Sequence, residues 1–142
     1  MDYDKEVEKN TKRNEKYLIE FEDWLINKGL KEGTIGNHLS NVDLFINYYL
    51  NYYDIIKAED GLDKIFDFLD DWFIRKCSWS SKSTMKGCVV SLKKFYCYMS
   101  ENNYVDVNLY NKTFAYIKKN MDRILKNIDE YYKRIEFDNY YD

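Results

Sequence analysis

Apolar residues recur along this chain at helical rather than strand spacing. Tyr17, Leu18, Phe21, Trp24 and Leu25 form a stripe that closes at Gly29, a residue suited to the position just past a helix end, so a first helix runs to about residue 28. Ile35, Leu39, Val42, Ile46 and Tyr49 step by four and three, which predicts a second helix over about 32 to 52. Leu62, Ile65, Phe66, Leu69, Trp72 and Phe73 mark a third, with Asp60 placed to cap its start and its end near Lys76. After the polar connector "SWSSKST", where Ser80 or Ser81 suits an N-cap, Met85, Val89, Leu92, Tyr96 and Met99 give the inner face of a fourth helix that Asn102 and Asn103 stop.

The last segment differs in its regularity. Phe114, Ile117, Met121, Ile124, Ile128, Tyr131 and Ile135 alternate steps of three and four, the spacing of a coiled-coil seam. Two readings stay open: a fifth helix that packs on something outside the core, or a long helix folded back across the bundle. No stretch alternates with β periodicity, and the predicted class is all-α.

Composition sharpens this. The 142 residues fit one domain-sized core, and the chain has no proline and only five glycines, which favours long helices over tight turns. No apolar run approaches the roughly 18 residues that span a bilayer, and "MDYDKEVEKNTKRNEKY" lacks a signal-peptide core, so a cytoplasmic location is expected. Cys77, Cys88 and Cys97 match neither zinc nor redox spacing and read as buried thiols. No Gly-rich phosphate loop occurs, His38 is the sole histidine, and no nucleophile turn is present. Neither cofactor, metal, small-molecule substrate nor membrane is expected as a partner.

The formal net charge of −3 conceals a segregated molecule. Residues 51 to 74 carry seven acids and two lysines, whereas Arg75, Lys76, Lys82, Lys86, Lys93 and Lys94 occupy an acid-free stretch up to Ser100. On a helical wheel Lys82, Lys86 and Lys93 fall within about 40° of one another, rising by about 6 Å and then about 10 Å, so their ammoniums can reach successive phosphates of a duplex. Ser80, Ser81, Ser83 and Thr84 precede or open that helix and offer hydroxyl and N–H donors suited to phosphate. The competing reading is a merely solvated face. On the second helix Asn37, Ser40, Asn41, Asn47 and Tyr48 lie opposite the apolar face, with His38 at its edge. Asparagine pairs bidentately with adenine in a major groove, though an AT-rich coding bias fills solvated faces with asparagine equally well.

Gly29-Leu30, Thr34-Ile35, Leu39, Phe45, Ser81, Thr84, Leu92, Phe95-Tyr96 and Tyr98 follow one another in an order and spacing that resembles the N-terminal core-binding, SAM-like domain of tyrosine recombinases (phage integrases). The resemblance covers about residues 15 to 108. It implies a four-helix SAM-like orthogonal bundle at 12–108, with 109–142 as an additional long C-terminal helix and tail. It also implies a DNA recombination and integration role, with double-stranded DNA met by the second and fourth helices. The expected contacts are Lys82, Lys86 and Lys93 on phosphates, flanked by Arg75, Lys76, Lys94, Ser81, Ser83 and Thr84, with Asn37, His38 and Asn41 facing the groove. The family's catalytic set of two arginines, a lysine, histidines and a nucleophilic tyrosine has no counterpart in the residues after 108, so a non-catalytic chain is expected. The rival expectation is a protein-interaction module that forms a homo-oligomer through the heptad-spaced tail.

Overall fold

A computed structural model describes residues 2–77 and 80–141. All regular structure among them is helical. Helix α1 spans Tyr3–Asn27, and α2 spans Glu32–Asp43 and runs on through a π-helical turn, Leu44–Tyr49. Two 3-10 turns, Ala58–Asp60 and Leu62–Lys64, lead into α3, which begins at Ile65–Asp67, widens into a π-helical segment at Phe68–Trp72 and ends as Phe73–Lys76. Helices α4 (Lys82–Glu101), α5 (Val107–Lys119) and α6 (Met121–Tyr141) complete the chain. Ser78 and Trp79 of the predicted connector lie outside the described residues.

Gly29 ends α1 as its position predicts. It adopts φ 81°, and the N–H groups of Gly29 and Leu30 donate to Ile26 O and Leu25 O at 2.9 and 3.4 Å, the paired bonds of a Schellman cap. The start of α1 lies fourteen residues ahead of the first apolar stripe residue, Tyr17. Asp2 caps it by accepting from Asp4 N at 3.0 Å, and its early turns are held by buried amides rather than apolar groups. Asn10 Nδ2 donates to Asn51 Oδ1 and to Ile56 O at 2.8 and 3.1 Å, and Asn14 Nδ2 donates to Asn47 Oδ1 and Ile46 O at 2.8 and 3.1 Å. The Asn14 bonds knit α1 to the π-helical turn of α2, and the Asn10 bonds knit it to the segment that follows that turn.

The core is aromatic. Phe21 of α1 meets Phe95 of α4 edge-on at 5.3 Å, and Phe45 of α2 meets Phe68 of α3 edge-on at 5.1 Å. Tyr96 is wholly buried and donates its hydroxyl to Ala58 O at 2.8 Å. A Cβ at Gly61 would stand 2.7 Å from the Tyr96 hydroxyl oxygen and 2.9 Å from Leu50 Cδ1, so the 3-10 turns approach α4 only because residue 61 has no side chain. This also corrects the expected start of α3: Asp60 sits inside the first of those turns, and its side chain caps nothing.

The tail resolves into two helices, broken at Asn120, whose N–H bonds back to Tyr116 O and Ile117 O at 3.1 and 3.2 Å. Phe114, Ile117, Ile124 and Ile128 are buried in the same apolar cluster as α1–α4, which therefore continues without interruption past residue 108. The heptad spacing thus marks a face that the chain covers with its own core; Tyr131 is half-buried and Ile135 is 36% exposed. Two outcomes follow for unfolding in urea. Circular dichroism and tryptophan fluorescence report one coincident transition, since the tail shares the core. Ile128→Ala costs about 2–5 kcal/mol whereas Ile135→Ala costs less than about 1 kcal/mol.

Candidate nucleic-acid interface

The start of α4 is set by Ser81, which lies in extended backbone (φ −155°, ψ 171°) and forms a reciprocal cap with Thr84. Thr84 N–H donates to Ser81 Oγ at 3.1 Å, and Ser81 N–H donates to Thr84 Oγ1 at 2.7 Å. The hydroxyls of Ser81 and Thr84, read from sequence as phosphate donors, are therefore engaged in the cap. Ser80 is buried, with Oγ 2.8 Å from the Tyr132 hydroxyl. Ser83 is exposed on the first turn of α4.

Helices α2 and α4 form the most extensive helix pair of the fold, and a polar node pins them together. Ser91 of α4 is fully buried; its Oγ lies 2.7 Å from His38 Nδ1 and accepts from Asn41 Nδ2 at 3.0 Å. Because the asparagine amide donates to that oxygen, the serine hydrogen is available to His38 Nδ1, an arrangement that suits a neutral ring protonated at Nε2. Burial, with a smaller contribution from the Lys94 charge, holds the His38 imidazole below its usual range. His38 is 8% exposed and lines the groove between the two helices from its floor.

Above this node lies a groove of about 520 Å3 between the two helices, where Thr34, Asn37, Ser40, Asn41 and Ser83 present polar groups beside the apolar Phe73, Cys88 and Val90. No charged side chain lines it. Asn37 is exposed and Asn41 half-buried, so amide groups remain presented to a ligand. A Cβ at Gly87 would come within 4.0 Å of Asn41 Nδ2, and its absence keeps that wall of the groove low.

The basic residues divide by partner. Lys86 and Lys93 are exposed and, like the half-buried Lys94, make no ion pair among the described residues. Lys82 is paired: its Nζ lies 2.7 Å from Asp129 Oδ2 of α6. Arg75 forms two bonds of 2.7 Å to the Asp71 carboxylate, which hold the Asp71 carboxyl below its ordinary range. Lys76 lies over the Tyr52 ring at 5.1 Å. The structure thus brings Asn37, Asn41 and Ser83 into one groove, leaves Lys86 and Lys93 exposed on α4, and turns Arg75 and Lys76 to the local partners Asp71 and Tyr52.

Sequence reasoning missed Ser91, Asp129 and Tyr132. Ser91 had a signal, since a polar residue stood beside Leu92 and three past Cys88, within the buried phase of α4. Asp129 and Tyr132 had none, being 47 and 52 residues away from the groups they touch. Burial also pushes the Cys88 thiol up to about 12. Among the described residues no group of three His, Cys, Asp or Glu side chains is placed to hold a metal ion, and no helix is long and apolar enough to cross a membrane.

Over 140 residues the chain is 29% identical to a probable integrase/recombinase protein of Methanocaldococcus jannaschii. The chain is a distant relative of that probable integrase/recombinase. The match takes in 96% of this chain but 36% of that protein, so the chain spans about a third of the length of the protein it matches. No protein-family model matches the chain, and no solved structure matches it.

Two measurements check the site's construction. Ser81→Ala removes the reciprocal cap and costs about 1 kcal/mol in chemical denaturation. His38 takes up its proton more readily when unfolded, near pH 6.5, than when folded. Stability is therefore complete above about pH 6.5 and falls as pH drops below it toward the folded value. With a single histidine in the chain, His38→Gln abolishes that slope just below about pH 6.5.

Proposed function

We propose that this chain is a non-catalytic DNA-binding module of integrase type, in which α1–α4 form a SAM-like orthogonal bundle and the α2/α4 face meets the major groove of duplex DNA. The observation that carries this reading is the groove between α2 and α4, which presents amides and hydroxyls and no charged side chain, on a helix that also carries the exposed lysines Lys86 and Lys93, without ion pairs among the described residues, in a relative of a probable integrase/recombinase. The two chemistries divide the labour of duplex recognition. Lysine ammoniums neutralise phosphates without reading sequence, while asparagine amides match the N6 and N7 edge of adenine. Asn37 and Asn41 supply those amides, Ser83 and Thr34 supply hydroxyls, and His38 with Ser91 fixes the orientation of Asn41 from below.

The module acts in DNA recombination by holding DNA rather than by cutting it. His38 is the one histidine and is engaged with Ser91, which leaves no histidine for strand-transfer chemistry in this chain. Dimerisation through the tail has less support, because Phe114, Ile117, Ile124 and Ile128 are taken by the chain's own core.

Fluorescence anisotropy of a labelled mixed-sequence duplex from about 25 to 200 mM salt tests the reading. The protein is expected to bind with a micromolar-range constant at low salt and a steep salt dependence, and Lys86→Glu/Lys93→Glu is expected to lose tenfold or more while keeping its helical spectrum. Absence of binding at the lowest salt, or unchanged binding by the double variant, overturns it.

A further inference from the structure

The lysine stripe begins at a residue that is already paired. Lys82 occupies the first position of α4, where the positive end of the helix dipole disfavours a cation, and Asp129 of α6 supplies the compensating carboxylate at 2.7 Å. One turn further along α6, the Tyr132 hydroxyl lies 2.8 Å from Ser80 Oγ and donates to Ser80 O at 3.0 Å. Asp129 and Tyr132 are three apart and share a helix face, so α6 closes over the entry to α4 at two adjacent points.

The grip of α6 on the bundle weakens along its length. Ile124 and Ile128 are 0% and 3% exposed, and Asn127 Nδ2 donates to Asp70 Oδ1 at 2.6 Å, which ties the first half to α3. Past Ile128, among the described residues, only Tyr131 still packs, half-buried, against the apolar cluster; Tyr132 and Ile135 are each 36% exposed, and both members of the Lys82–Asp129 pair are about half exposed. An ion pair so open to solvent contributes little to folding and is readily exchanged for another anion.

We propose that the distal half of α6, from Asp129 onward, is a latch on the nucleic-acid face. The Asp129 carboxylate stands where a backbone phosphate would contact Lys82, so duplex binding and latch closure compete for one ammonium. This rests on the DNA-binding reading given above. Docked, the latch leaves the stripe two lysines strong. When a duplex draws Lys82 away, Asp129 loses its partner and faces phosphate charge, and the weakly held half of α6 lifts while Ile124 and Ile128 stay in the core.

Anisotropy titrations of wild type, Asp129→Asn, Lys82→Met and the double variant on one duplex at about 25–50 mM salt test the latch, together with hydrogen exchange on the wild type. The expected result is two- to fivefold tighter binding by Asp129→Asn, the range that an exposed pair commands. Most of that gain disappears in the Lys82→Met background, and duplex speeds exchange in residues 129–138. Wild-type binding that Asp129→Asn leaves unchanged, or improves equally in the Lys82→Met background, overturns the latch and leaves the DNA reading standing. Unchanged or slowed exchange in 129–138 on duplex addition overturns it as well. If none of the four proteins binds at about 25 mM salt, the DNA reading falls and the latch falls with it.

Discussion

The polar node at Ser91 is the constraint on which the functional face depends. A fully buried hydroxyl between α2 and α4 must be satisfied, and His38 and Asn41 satisfy it from the opposite helix. That requirement fixes the register of the two helices and the tautomer that suits the only histidine. It also orients one of the amides that the groove presents. Removing any one member leaves a buried donor or acceptor without a partner, a penalty that an apolar contact of the same size would not carry. Specificity of helix pairing and shape of the groove therefore have a common origin.

Around that node the molecule separates its charges. The acidic segment of residues 51–74 surrounds α3 and its leading turns, and its Asp71 takes up Arg75. The lysines of α4 remain on the other element of the pair. A net charge of −3 consequently describes neither face, and attraction to a polyanion depends on where Lys86 and Lys93 stand rather than on the total. Asp129 of the tail brings one acid to Lys82, at the start of a helix that carries no acid of its own before Glu101.

Much of the fold was legible because apolar periodicity reports burial directly. Phe21 and Leu25, Val42 and Ile46, and Met85, Leu92, Tyr96 and Met99 all face the core as their spacing implies, and Gly29 and Ser81 end and begin their helices where their chemistry suits. What escaped the pattern was burial by polar groups. Asn10 and Asn14 hold the first turns of α1 through amide bonds, which carry no hydrophobic signature. The seam of the tail was legible as a face, but periodicity does not say what a face meets, and a break at Asn120 preserves its phase. On α2 and α4 the exposure of Asn37, Lys86 and Lys93 was legible, whereas the burial of His38 against Ser91 and the pairing of Lys82 depend on contacts distant in sequence.

The central claim is that the face between α2 and α4 meets DNA. It is tested most directly by titrating the isotope-labelled protein with a short duplex and following backbone and asparagine side-chain amide resonances. The account predicts that shifts concentrate on Asn37, Asn41, Ser83, Lys86 and Gly87, with α1 and the acidic leading turns of α3 unmoved. Shifts confined to α1 or α3, or spread evenly over the surface, would contradict it.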